Sequence, residues 1–306
     1  MITVIGIALA MRIGPPSRQQ LMKDARLSDK SVLLVGVKDD VPGIALRDTA
    51  GRYTGFDIDI AYMVAADLGF RPDEVRFLPI EPEDRPKMQA RDDNEFVTVD
   101  LVISTFSITK EREDLDLVSF SAPYLRTEQS VVTRKGHANV QTLEDLAGEK
   151  VCTLGTSTSQ SEAAKAGAQL SGKNRLSECI DGLLRGAYAA VTTDAAMLAG
   201  FVAKYPNKLQ HHDIGLAKEE AWGINTGGVE ALRTLVNLSL YNSFHNPDDR
   251  RWEDAFNRHL REIQPVSLPQ QVAVDEQPEV AEVKVRQWPW DTRKYLPPAE
   301  PGKRRR

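Results

Sequence analysis

Apolar residues along this 306-residue chain fall into two alternating rhythms, short unbroken runs and helical repeats. Val32–Val37, with Leu-Leu-Val-Gly-Val at its core, is an unbroken run and predicts a strand buried on both faces. The polar loop Lys38–Gly43 follows it. From Gly55 onward, Ile58, Ala61, Tyr62, Ala65 and Leu68 recur at helical spacing and predict a helix that ends at Gly69. Val75–Ile80 reads as a strand, Arg85–Asp93 as a short helix and Val99–Ile103 as a strand. After Tyr124 the alternation restarts. Strands are predicted at Ser130–Thr133, Lys150–Leu154 and Ala190–Thr193, with helices over Thr156–Leu170, Glu178–Arg185 and Ala195–Lys204. Trp222–Asn225 is the last predicted strand, before helices at Val229–Phe244 and Arg251–Ile263. Strands that alternate with helices predict an α/β protein with a mainly parallel sheet. The restart predicts a second lobe.

Both flanks depart from this rhythm. Met1–Met11 is apolar but about half the length of a membrane-crossing helix, and no basic segment precedes it. Its Ala8-Leu9-Ala10 has the small-x-small form of a cleavage site. It reads as the end of an export signal or membrane anchor, and a loose N-terminal arm is the other reading. Gly14–Lys30, with Pro15–Pro16, reads as a polar linker containing one helical turn. Gln264–Arg306 is rich in proline and ends in Lys303-Arg304-Arg305-Arg306, so it predicts a disordered tail.

Composition then narrows the function classes. The net charge of -5 argues against a nucleic-acid partner. Cys152 and Cys179 are the two cysteines. In an exported protein they can close one disulfide, and in a reducing compartment they are two buried thiols; the disulfide is the expectation. Neither has a neighbouring Cys or His at metal-ligand spacing, so neither a metal nor a cofactor is expected. The five histidines show no metal or triad spacing, and His211–His212 reads as a surface turn. Neither a phosphate-binding loop nor a G-x-S-x-G motif is present.

Asp100–Tyr124 carries the strongest chemical signal. A buried run, Leu101–Ile103, gives way to the hydroxyls Ser104, Thr105 and Ser107, and Arg112 follows about one turn later. Hydroxyls at a strand's carboxyl end, beside a planar two-pronged cation, suit a carboxylate. Four blocks in order, Gly55-Phe56-Asp57-Ile58-Asp59-Ile60, Ile108-Thr109-Lys110-Glu111-Arg112, Phe120-Ser121-Ala122-Pro123-Tyr124 and Val191-Thr192-Thr193-Asp194, resemble the GFDxDhh, ITxxR, FSxPY and strand-end aspartate motifs of one family. That family is the extracytoplasmic solute-binding proteins (family 3) of polar amino-acid ABC transporters, the glutamate/glutamine group, and the resemblance covers residues 31–263.

The resemblance implies a two-lobe, periplasmic-binding-protein-like type II fold with two hinge crossings. Lobe 1 would comprise 31–124 and 222–263, and lobe 2 would comprise 125–221. Residues 1–30 would be an apolar segment and linker, and 264–306 a Pro-rich tail. It implies a non-enzymatic monomer outside the cytoplasm that binds an amino acid and presents it to an ABC-transporter permease, with membrane association through the N-terminus. Arg112, Ser107 and Thr105 would hold the ligand carboxylate, and Asp194 its ammonium. Ser157 and Thr158 would close from lobe 2. Arg85 and Lys38 would face the side chain, favouring glutamate. An extracellular sensor module and a cyclohexadienyl-dehydratase-like enzyme are the alternatives on this fold. Asp194 and Ser157 also suit helix capping.

Overall fold

In the computed structural model residues 14–215 and 219–286 are described. The first lobe runs through helix α1 (Arg18–Asp24), strands β1 (Leu33–Val37), β2 (Asp40–Val41), β3 (Ala45–Arg47) and β4 (Tyr53–Thr54), helix α2 (Phe56–Leu68), strands β5 (Val75–Pro79), β6 (Gln89–Asp92), β7 (Glu95–Thr98) and β8 (Leu101–Val102), and helix α3 (Lys110–Glu113). The apolar run of β1 is the middle of a parallel β5-β1-β8 sheet. Leu33, Val35 and Val37 pack into the main core on one face and Leu34 packs against a second apolar cluster on the other, so β1 needs no polar alternation. Gly55 makes the entry to α2 possible: its φ is +136°, and a Cβ there would sit 2.2 Å from the Ile44 carbonyl oxygen.

The second lobe is built on β9 (Leu125–Arg134), β10 (Lys150–Leu154), α4 (Thr158–Lys165), β11 (Gln169–Lys173), α5 (Leu176–Leu184), β12 (Ala190–Asp194), α6 (Ala195–Lys204) and β13 (Leu209–His212). Its sheet order is β11-β10-β12-β9-β13, with β9 antiparallel to both neighbours. Cys152 of β10 and Cys179 of α5 form a disulfide. Strand β14 (Glu219–Trp222) pairs antiparallel with Leu125–Glu128 of β9. These two strands are the crossings between the lobes. The chain then returns to lobe 1 through α7 (Glu230–His245) and α8 (Arg251–Phe256), with α9 (Gln264–Ser267) after them. Phe56, Tyr124, Trp222 and Trp252 are fully buried where the hinge meets lobe 1, and Trp252 Nε1 donates to the Tyr124 carbonyl (2.8 Å).

Several local expectations differ from the structure. Arg85–Lys87 is a single 3-10 turn, and the rest of the expected helix is mostly strand β6, the first arm of the β6–β7 hairpin. The expected helix over Thr156–Leu170 stops at Lys165, and the edge strand β11 begins at Gln169. Gln-Leu-Ser-Gly-Lys has no apolar alternation because an edge strand buries little. His211 and His212 are a buried strand rather than a surface turn. Their Nε2 atoms lie 2.8 Å from Ser130 Oγ and 2.7 Å from Thr133 Oγ1, so cross-strand hydroxyls satisfy those two nitrogens, while His211 Nδ1 has no partner among the described residues.

The C-terminal extension is the largest difference. Residues 264–286 do not trail into solvent. The Val272 carbonyl accepts from Thr127 Oγ1 (2.8 Å), Val274 N donates to the Arg126 carbonyl (2.9 Å), and Gln270 meets Glu128. Gln277 Nε2 donates to the Leu240 carbonyl on α7 (3.3 Å), and Arg286 N donates to the Pro16 carbonyl (2.8 Å). Val272, Ala273 and Val280 are buried. Burying a valine contributes about 1.5–3 kcal/mol, so two valines and a ladder of backbone partners suffice to dock a segment whose composition reads as disordered. The apolar segment Met1–Met11 and the end of the tail, from Gln287, lie outside the described residues.

Candidate functional site

The site is built from strand ends that meet between the lobes, where open α/β folds gather ligand groups. From lobe 1, the turn after β8 carries Ser104, Thr105 and Ser107, all buried. Thr105 has φ +48°, a left-handed conformation unfavourable for a β-branched residue. Three contacts hold it there. Its N–H donates to Asp57 Oδ2 (3.2 Å), and the carbonyls of Ser104 and Thr105 each accept from Arg85 Nη1 (3.1 Å). The Ser104 and Thr105 hydroxyls are buried without a hydrogen-bond partner among the described residues. Such groups cost free energy unless something else engages them.

Arg112 sits on α3, whose N-cap Thr109 accepts from Arg112 N (3.3 Å). Its Nη1 donates to the Ser107 carbonyl (2.7 Å), and its Nη2 crosses the cleft to the Thr156 carbonyl (3.0 Å). The guanidinium groups of Arg85 and Arg112 each lie 4.8 Å from the Phe106 ring centre. Burial pulls Arg85 down to about 9, and the neighbouring Arg112 charge adds to the effect.

From lobe 2, Asp194 ends β12 with its carboxylate buried. Oδ2 accepts from Trp222 Nε1 (2.6 Å). Burial, then the nearby charge of Glu220, pushes Asp194 up to about 7, against the opposing pull of the Trp222 N–H, Arg112 and Arg85. Asp194 and Arg112 therefore share one electrostatic space across the cleft. Although Asp194 precedes α6, its side chain makes no capping hydrogen bond.

The remaining expected site residues divide. Ser157 is a cap: its hydroxyl accepts from Gln160 N (3.2 Å) and donates to the Leu154 carbonyl (2.7 Å). Thr158, half-buried, is the first residue of α4. Lys38 is buried at the cleft edge, where its Nζ donates to the Asn174 carbonyl of lobe 2 (3.1 Å), and Asp40 Oδ1 lies 3.9 Å away. Burial holds the Lys38 ammonium below its ordinary range. Beside it, Asp39 pairs with Arg175 (2.8 Å) and Asp40 accepts from Ser177 N (2.9 Å). Lys38 thus ties lobe to lobe, and Arg85 braces the hydroxyl turn. Among the described residues the Lys38 ammonium has only the looser Asp40 ion pair, and the donors of Arg85 go to backbone carbonyls.

Two supporting residues escaped the sequence reading. Asp57 is fully buried and pushed up to about 8 by burial, and it binds both Thr105 N and Tyr124 Oη (3.0 Å). It connects the hydroxyl turn to the first hinge strand. The aspartate of the Gly55-Phe56-Asp57 block was its signal. Trp222, which fixes Asp194, carried no signal beyond its apolar run. Among the described residues, no group of acidic, His or Cys side chains is arranged to hold a metal ion, and no helix is long and apolar enough to cross a membrane.

Residues 33–266 match the bacterial extracellular solute-binding proteins, family 3. The chain belongs to this family. Among family 3 relatives, it is 31% identical over 210 residues to the glutamate-binding protein GluB of Corynebacterium glutamicum, covering 62% of this chain and 69% of that one. It is 29% identical over 244 residues to the ABC transporter glutamine-binding protein GlnH of Bacillus subtilis, covering 78% and 84%. The solved structure of the solute receptor for L-cysteine of Neisseria gonorrhoeae superposes with a TM-score of 0.70 at 25% identity, covering 82% of this chain and 99% of that one. The family's members are extracellular, and most of the matched relatives are binding proteins rather than enzymes. The two-lobe α/β architecture is that of these family 3 neighbours.

Proposed function

We propose that this protein binds an L-amino acid with a polar side chain between its lobes and delivers it, outside the cytoplasm, to an ABC-transporter permease. One observation carries the reading. A half-buried guanidinium, Arg112, and a buried carboxylate, Asp194, act on each other from opposite lobes, beside two buried hydroxyls that have no partner among the described residues. A zwitterion supplies what each of these groups lacks. Its carboxylate accepts from Arg112 and the Ser104–Ser107 turn, with Thr105 and Ser107 lining it. Its ammonium donates to Asp194. Ligand contacts from both lobes favour the closed form, which is the state a permease reads.

The side chain is read as glutamate- or glutamine-like. Arg85 contributes positive charge to that end of the cleft, but its donors to Ser104, Thr105 and Pro82 are already engaged by carbonyls. Lys38 contributes through closure. Thr158 and the capped turn at Ser157 shape the lobe-2 wall. The protein works as a monomer and returns its cargo chemically unchanged.

The test is isothermal titration of ligand-stripped protein with the twenty L-amino acids. Micromolar or tighter binding of glutamate or glutamine, recovered intact, supports the reading. Binding of none of them refutes it.

A further inference from the structure

Glu220 is the buried charge that this account leaves unused. It is 4% exposed, and its carboxylate makes no hydrogen bond or ion pair among the described residues. Its place on β14 is well defined. Glu220 pairs with Thr127 of β9, and Asp194 pairs with Gln129, two residues further along the same strand. Glu220 and Trp222 lie two residues apart and so project from one face of β14. Trp222 from that face reaches Asp194 Oδ2 (2.6 Å). Thr127, opposite Glu220, accepts from Ala196 N (3.3 Å), two residues beyond Asp194. The carboxylate of Glu220 acts on the charges of both Asp194 and Arg112. An α-amino acid held with its carboxylate at Arg112 and its ammonium at Asp194 has its α-carbon between the two groups on which the Glu220 charge acts.

We infer that Glu220 is a second anchor for the ligand's ammonium group, so that the site selects a primary α-amine with two carboxylates rather than one. The inference rests on the amino-acid reading above. A buried, unpaired carboxylate is costly, and a primary ammonium has three donors to distribute. Asp194 with Glu220 uses two of them. A 2-hydroxy acid of the same shape offers one weak donor and leaves Glu220 unpaired. The wild-type protein should therefore reject it far more strongly than one lost hydrogen bond requires.

The experiment titrates wild type and Glu220→Gln with L-glutamate and with 2-hydroxyglutarate, alongside thermal melts. The expected result is a wild-type preference for glutamate of about 100-fold or more. Glu220→Gln should weaken glutamate by about tenfold and leave 2-hydroxyglutarate unchanged or tighter, with the melt preserved. Equal weakening of both ligands would overturn the inference, since it would mean that Glu220 acts through Arg112 alone. An unchanged glutamate affinity would overturn it as well. If Glu220→Gln does not fold, the wild-type preference decides: a ratio below about tenfold leaves no room for a second anion. Failure of wild type to bind any of the twenty amino acids would instead remove the amino-acid reading itself, and this inference with it.

Discussion

The most direct consequence of the site is a pH dependence of binding. Asp194 is held near 7 in the empty cleft by burial and by Glu220. The ammonium of an amino acid engages only the carboxylate form. A proton and the ligand therefore compete for Asp194. The sign follows from the raised value: affinity is full above 7 and is lost as pH falls through 7, because the empty site then takes up a proton that the ligand must displace. With a midpoint of about 7 in the free protein and a much lower one in the complex, the apparent Kd should rise about tenfold between about pH 8 and about pH 6, or about 1.4 kcal/mol. Titration in two buffers of different ionisation enthalpy should also show about half a proton released per ligand at about pH 7. Trp222→Phe removes the N–H that stabilises the carboxylate and should move the midpoint upward. Asp194→Asn should abolish both the pH dependence and most of the affinity. A Kd that is flat between about pH 6 and 8, with no proton release, would refute the reasoning, because a proton would then not compete with the ligand for Asp194 in this range.

Other expectations concern neighbouring features. Arg112→Ala leaves the ligand carboxylate buried with its main donor gone and also cuts the bond to Thr156, so calorimetry should show a loss of about 2–4 kcal/mol, roughly 30- to 1,000-fold in Kd. Replacing Cys152 and Cys179 by serine opens a loop of 27-residue separation; urea unfolding should show about 3–4 kcal/mol lost with ligand Kd nearly unchanged, because neither cysteine is a candidate ligand contact. His211 is kept neutral by burial, which holds it down to about 3. Its contribution to stability is full above the unfolded value near 6.5 and is lost as pH falls toward 3, and acid unfolding of His211→Asn should be shallower in that window. Val274→Pro deletes the N–H that binds the Arg126 carbonyl while its side chain stays partly exposed; a stability loss of about 1 kcal/mol is expected, and none would show that the extension is only loosely docked.

Local pattern determined a large part of this protein. The unbroken apolar run of β1, the helical spacing of α2 and the restart after Tyr124 required only near-neighbour chemistry, so the alternation of strands and helices was legible from the chain. The strand-end hydroxyls and Arg112 stood out as candidates on the same grounds, and Asp194 did so through its match to the strand-end aspartate motif. What the chain could not show were the partners of those residues. Whether Ser157 caps or contacts ligand depends on where Gln160 N points. Whether Lys38 and Arg85 are loose cations or braces depends on carbonyls at Asn174, Ser104 and Thr105. His211 looks like a surface residue until Ser130 lies beside it, and residues 264–286 look unstructured until β9 and α7 offer them a groove. Apart from the Ser157 cap, which forms within one helical turn, each is a contact between separate segments of the chain, and burial and hydrogen-bond satisfaction, which decide it, are properties of the packed structure rather than of any local stretch.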